Sequence, residues 1–285
     1  MSQRNEVVVG CDGSEQGWAA LDWALPYAAE RRASIAVLSA VVSLSVEDSV
    51  GGLMEERVEH AENVVAEALR RCTSAGVEAR GDVSTLPAGR SLVEASEDAV
   101  ALVVGATGYG AVTGVLWGSV SRHVIRHAAV PTVVVRERAD AAARKVVIGV
   151  DGTPIGDEAL RFGLDIASRR GWDVEVLHAA DAPGSWKSWT EKVSEREAER
   201  QAAVERMLSE LTAGWQEKYP DVALESAVAR LEPGDALRDA SSVAALVVVG
   251  AHGRRGVSGH LGSVSQAVAR QAHCPVAVLH LTDSA

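Results

Sequence analysis

A chain of 285 residues has room for one large domain or two of ordinary size. Its 47% hydrophobic content supports a real core, and the scarcity of Phe and Tyr against Val, Ala and Leu suits buried parallel strands under aliphatic helices. A formal charge of −11 argues against nucleic acid as a general partner, because a phosphate backbone calls for clustered Lys and Arg.

Residues 6–11 form a continuous apolar, β-branched run bounded by Gly and Asp, too short for a helix, and predict a strand. Trp18, Leu21, Ala24, Leu25 and Ala28 then recur at helical spacing and predict a helix over 15–32. A strand at 34–42 follows, then a long helix at about 54–75 carrying Val58, Ala61, Val65, Ala68 and Leu69 on one face. A strand at 77–85, a short helix at 90–98, a strand at 100–105, a helix at 119–129 and a strand at 131–136 complete the half. The second half repeats the order, with its long helix at about 190–213.

The repetition is literal in places. Val7-Val8-Val9-Gly10-Cys11-Asp12-Gly13-Ser14 returns as Val146-Val147-Ile148-Gly149-Val150-Asp151-Gly152-Thr153, an offset of 139. Leu102 to Ala106 returns as Val247 to Ala251 at offset 145, and Gly118-Ser119-Val120-Ser121 returns unchanged as Gly262-Ser263-Val264-Ser265 at offset 144. Pro131 and Pro275 precede the closing apolar runs at that same offset of 144. Ordered matches at a nearly constant offset identify a duplication, with domains expected at residues 1–138 and 144–285 and a short Ala-rich join between them.

Alternating strands and helices with short connections predict an α/β fold. Each half is expected to form an open, doubly wound, Rossmann-like parallel sheet of five strands. Ligands on such sheets sit beyond the carboxyl ends of the strands, where the strand order reverses. Asp12 and Asp151 follow the first strands, and Gly105 and Gly250 end the fourth.

After that fourth strand comes a glycine-rich stretch from Gly105 through Ala106, Gly108, Gly110 and Gly114 to Gly118 and Ser119. Glycines let a backbone approach phosphates closely, and the stretch ends at a predicted helix N-terminus, where free amides, hydroxyls and the positive dipole end favour an anion. The bland reading is a flexible loop with Ser119 as a helix cap. The arrangement occurs twice, each time after a Val-rich strand, and this favours the anion cradle. Neither a GxxxxGK[ST] loop, a GxGxxG after the first strand, nor a GxSxG after a strand is present.

On these residues the chain resembles the universal stress protein family, over nearly its whole length and as two tandem copies. ATP-binding members of that family show Gly-x2-Gly-x9-Gly-Ser/Thr after the fourth strand, and Gly105, Gly108, Gly118 and Ser119 meet that spacing. The resemblance implies that these residues, with Ala106, Gly110, Val120 and Ser121, hold the triphosphate and ribose of ATP. It implies that Gly10 and Asp12 lie beside ribose, phosphates and a magnesium ion, and that Ala40 and Val41 flank the adenine. The counterpart site would comprise Gly149, Asp151, Gly250, Ala251, Gly253, Gly256, Gly262, Ser263, Val264 and Ser265, with Asp12 and Asp151 acting on the metal indirectly. The second loop departs from the pattern: eight residues, Arg254 to Leu261, separate Gly253 from Gly262 instead of nine, while Arg254 and Arg255 add charge suited to a phosphate. Ala101 and Ala245 stand where the family often has Asp, and nothing in the sequence explains that change.

Other residues read more plainly. His123 and His127, four apart on one helix, lack a matching carboxylate or cysteine cluster and read as solvated or packed, as does His273. Cys11 and Cys274 read as small buried residues. Trp186 and Trp189 either mark a partner site or cover the end of the sheet. Three widely spaced cysteines without CxxC, no apolar signal core at the start and no apolar run of membrane-spanning length give the cytoplasm as the expected compartment and no membrane partner. The reading that follows is an ATP-binding stress or signalling module acting through an unidentified partner, with a slow Mg-dependent ATPase or a nucleotide-free scaffold as alternatives. The apolar closing runs, Thr132 to Arg136 and Val276 to Leu281, are expected to pair the two domains, with further association into a homodimer left open.

Overall fold

The valine runs become fully buried strands. In the computed structural model, which describes residues 5–41, 53–108, 117–137, 140–179, 191–251 and 261–280, the chain divides into two compact units of like construction. The first is β1 (Glu6–Gly10), α1 (Glu15–Arg31), β2 (Ser34–Ala40), α2 (Leu53–Ser74), β3 (Ala79–Ser84), α3 (Ala88–Ala95), β4 (Ala101–Gly105), α4 (Ser119–His127) and β5 (Thr132–Val135). The second is β6 (Lys145–Gly149), α5 (Ile155–Arg170), β7 (Asp173–Ala179), α6 (Glu191–Lys218), β8 (Leu224–Ala229), α7 (Pro233–Ala240), β9 (Leu246–Gly250), α8 (Ser263–Gln271) and β10 (Val276–Leu279).

In the first unit the strands pair in parallel in the order β3-β2-β1-β4-β5. In the second the order is β8-β7-β6-β9-β10, again parallel. Val7, Val8, Val9, Val103 and Val133 are fully inaccessible, as strands covered on both faces require, and each contributes on the order of 1.5–3 kcal/mol by burial. The strand order reverses between β1 and β4 in one unit and between β6 and β9 in the other. A doubly wound sheet places its ligand crevice at that reversal.

Helix α2 buries Ala61, Val64, Val65, Ala68 and Cys72, so Val64 and Cys72 take the core positions expected of Val58 and Leu69. Helix α3 begins two residues earlier than its periodicity suggests. Pro87, with φ −52°, supplies a preset entry, and the Ser96 hydroxyl closes the other end on the Val93 carbonyl at 2.9 Å. Helix α6 runs to Lys218, past the expected end at 213.

The amino ends of the strands are tied by ion pairs. Both carboxylate oxygens of buried Glu6 accept from Arg80, at 2.9 and 2.7 Å, and Lys145 meets Glu175 at 2.9 Å in the second unit. The glycines and hydroxyls gather at the opposite, carboxyl end.

Candidate nucleotide site

At the end of β1 the chain turns through Asp12 and Gly13, whose φ of +81° is open to glycine at little cost. Asp12 Oδ1 accepts from the Ser14 amide at 3.1 Å and the Ser14 hydroxyl at 2.6 Å. Ser14 in turn caps α1, its Oγ accepting from the Gly17 amide at 3.0 Å. One carboxylate oxygen of Asp12 is thus committed to the turn. The other lies against the loop after β4, where a Cβ on Gly108 would stand 2.5 Å from Asp12 Oδ2. Asp12 and Gly108, 96 residues apart in sequence, meet at the strand-order reversal.

The chain leaving β4 is held at several points. The Gly118 amide donates to the Ala106 carbonyl at 2.7 Å, and the Ser121 hydroxyl donates to that same carbonyl at 3.0 Å. The loop therefore returns to its own start, and α4 begins beside the end of β4. Gly118 is the residue before α4, and no side chain among the described residues caps that helix. Where Ser14 caps the first turn of α1, the first turn of α4 has no such cap among the described residues, and Ser119 there is exposed. Such a terminus, at the carboxyl edge of a parallel sheet, is suited to an anion.

The second unit repeats the arrangement. Asp151 Oδ1 accepts from the Thr153 amide at 3.1 Å and its hydroxyl at 2.5 Å, around Gly152 at φ +78°. The Gly262 amide donates to the Ala251 carbonyl at 2.7 Å, the Ser265 hydroxyl to the Gly250 carbonyl at 2.5 Å, and α8 likewise starts after glycine without a side-chain cap.

The model of the universal stress protein family matches residues 3–136 and again 142–280. The chain belongs to the universal stress protein family. A universal stress protein of Mycolicibacterium smegmatis is 35% identical over 292 residues, covering 96% of each chain. Universal stress protein Rv2623 of Mycobacterium tuberculosis is 34% identical over 293 residues, covering 95% of each. Among solved structures, a universal stress protein from Archaeoglobus fulgidus superposes with TM-score 0.70 at 19% identity, covering 100% of this chain and 99% of its own.

Within this universal stress protein fold the residues singled out from sequence divide by role. Gly10 and Gly149 end their strands against Leu92 of α3 and Leu237 of α7, whose side chains lie about 3.0 Å from where a Cβ would stand. Gly105 and Gly250 do the same against α1 and α5. A Cβ on Gly105 would lie 2.8 Å from the Gln16 backbone, and one on Gly250 2.6 Å from Ile155 Cγ2. Their missing side chains thus admit a helix, a different reason from the phosphate approach expected of Gly105. Ala40 ends β2, and Val41, itself buried, extends that strand by donating its amide to the Ser84 carbonyl at 2.8 Å. Val120 and Val264 sit in the first turns of their helices, half-buried. Gly110, Gly253 and Gly256, like Arg254, Arg255, Trp186 and Trp189, lie outside the described residues.

The geometry adds residues that the sequence did not single out. Gln16 accepts the Thr107 amide at 2.9 Å through Oε1. His60 of α2 stands beside the Asp12 turn, its Nε2 3.3 Å from the position a Gly13 Cβ would take. Buried His178, at the end of β7, donates from Nδ1 to the Val150 carbonyl at 2.9 Å. None of these stands in a recognisable motif.

His123 packs its ring on Gly89 of α3 and stacks on His127 with centroids 4.3 Å apart. Burial, then the neighbouring His127 and Arg126 charges, hold its pKa below the usual imidazole range. Cys11 is buried, and its thiol is pushed up to about 11, chiefly by desolvation and also by the Asp12 charge, against a lowering backbone hydrogen bond from Gly13. Cys72 and Cys274 are buried too. Among the described residues no group of three or more His, Cys, Asp or Glu is placed to hold a metal, and no helix is long and apolar enough to cross a membrane. A magnesium ion at Asp12 fits this donor set only if phosphates and water complete its shell.

Proposed function

We propose that both domains bind ATP at the carboxyl ends of their sheets, and that the protein is a nucleotide-responsive regulatory module. The observation that carries the reading is the uncapped N-terminus of α4. It follows Gly118, beside the loop that meets Asp12, at the strand-order reversal. The triphosphate lies on the amides of Ser119, Val120 and Ser121, the base beside Ala40 and Val41, and Asp12 orients magnesium through water. Asp151 and the α8 terminus take these parts in the second domain.

What this chain's own residues can do is bind and orient. The duplicated polar groups, a carboxylate at the first turn and an uncapped helix start in each domain, form a cradle. Bound nucleotide acts by favouring one conformation or partner-binding state over another. Strands β5 and β10 are apolar, and each hydrogen-bonds to a single neighbour within its own domain. We read them as the surfaces through which the two domains pair.

Acid extraction of the purified protein, followed by chromatography of adenine nucleotides, tests the reading. Intact ATP, retained from the cell or taken up on incubation, is expected. A protein that neither retains nor takes up ATP at millimolar concentration is a scaffold instead.

A further inference from the structure

The two candidate sites are built on matching frames with one unmatched part. Gln16 and Ile155 occupy the same place, four residues after Asp12 and Asp151 respectively, at the start of α1 and α5. Each lies against the last glycine of the neighbouring strand, Gly105 or Gly250. Their chemistry differs. Gln16 Oε1 accepts the Thr107 amide at 2.9 Å, joining α1 to the chain as it leaves β4. Because that partner is an N–H, the carboxamide is fixed with its oxygen toward the loop. Ile155 is buried, with 6% exposure, and has no acceptor to offer.

A second position varies in the same sense. Trp117 and Leu261 each stand directly before the glycine that opens the phosphate helix. Trp117 Nε1 is buried with no hydrogen-bond partner among the described residues, whereas leucine brings no donor at all. At these two positions the first domain thus carries a side chain with a polar group where the second carries an aliphatic one.

We propose that the two nucleotide sites are unequal, and that Gln16 is a positioning residue that preorganises the loop after β4 and makes the first domain's site the tighter one. This rests on the nucleotide reading given above. Gln16 acts through the Thr107 amide. It holds the loop's first residues in place before a ligand arrives, so less ordering is charged against binding. The second domain, with Ile155 at this place and a loop shorter by one residue, lacks that help from the side chain.

The test is an ATP titration, with magnesium, of the full-length ¹⁵N-labelled protein, read at the Ser119 and Ser263 amides, one in each domain. The wild-type Ser119 signal is expected to half-saturate at several-fold lower ATP than Ser263. In Gln16→Leu the Ser119 midpoint rises about five- to tenfold, the worth of one such hydrogen bond, while Ser263 stays put. Hydrogen exchange at the Thr107 amide quickens in the same variant. Gln16→Met, which keeps the chain length without the acceptor, gives the same split. A purely structural role would raise both midpoints together. Equal midpoints in the wild type, an unmoved Ser119 midpoint in Gln16→Leu, or an equal rise in both domains overturns the inference. If neither amide responds to saturating ATP, the nucleotide reading itself falls and this inference falls with it.

Discussion

Asp12 and Gly108 approach so closely that a methyl group on the glycine would lie 2.5 Å from the aspartate's Oδ2. That contact joins the turn after β1 to the loop after β4, the two segments that flank the strand-order reversal. Gly108→Ala must push either the carboxylate or the loop aside, and the carboxylate is anchored through its other oxygen by Ser14. The expected result is a roughly tenfold or larger loss of ATP affinity, in line with an overpacking cost of about 1–3 kcal/mol. Calorimetric titration beside the wild type checks it.

Gly105 and Gly118 are expected to part company. A Cβ at Gly105 would sit 2.8 Å from the backbone of Gln16, which cannot swing away, so Gly105→Ala lowers the unfolding midpoint by several degrees. At Gly118 the nearest atom is the Ala106 carbonyl oxygen at 3.2 Å, a tight contact that a shift of a few tenths of an ångström relieves, so Gly118→Ala costs the fold less than Gly105→Ala and, by displacing the start of α4, loses ATP affinity. Thermal melts and binding measured on both variants distinguish the two roles. Equal destabilisation would contradict the assignment of Gly105 to helix packing.

Asp12→Asn keeps an acceptor for the Ser14 amide and hydroxyl, so the turn survives. What disappears is a charge. ATP affinity is expected to fall when magnesium is present and to change little in EDTA. An equal loss under both conditions would assign Asp12 to the turn alone.

Cys11 should be inert in the native protein. With its pKa raised to about 11 it carries almost no thiolate at neutral pH. A thiol-selective disulfide reagent is expected to label it only after denaturation. Linkage gives a second signature. The raised folded pKa means this thiol's contribution to stability is full below the ordinary value of 9.0 and is lost as pH rises from there through about 11. A Cys11→Ser variant should flatten that part of the stability profile.

Placing proline at Val134 removes a donor from the middle of β5, and should open the proposed pairing of the domains. The isolated segment 1–140 is expected to self-associate through that strand. Sedimentation of the segment as a stable monomer would contradict the pairing.

Much of this was legible in the sequence because it is written twice. The duplicated valine runs specify buried parallel strands, and Gly118-Ser119-Val120-Ser121 with its copy marks the start of the same helix in both domains. Single-residue contacts were not legible. Gln16 is an ordinary polar residue in a helix until the fold brings Thr107 to it. Gly105 reads as a phosphate-loop glycine because sequence shows which residue lacks a side chain and not what fills the space. The face of α2 shifted for a related reason: Val64 and Cys72 are as apolar as Val58 and Leu69, and only packing against the sheet selects between them.

Equilibrium dialysis of the full-length protein against labelled ATP and magnesium, with Gly118→Ala dialysed in parallel, shows whether both domains hold nucleotide. The wild type is expected to bind saturably, approaching two ATP per chain, and the variant to lose one site selectively. Absence of saturable binding by the wild type, or full retention of both sites by Gly118→Ala, would contradict it.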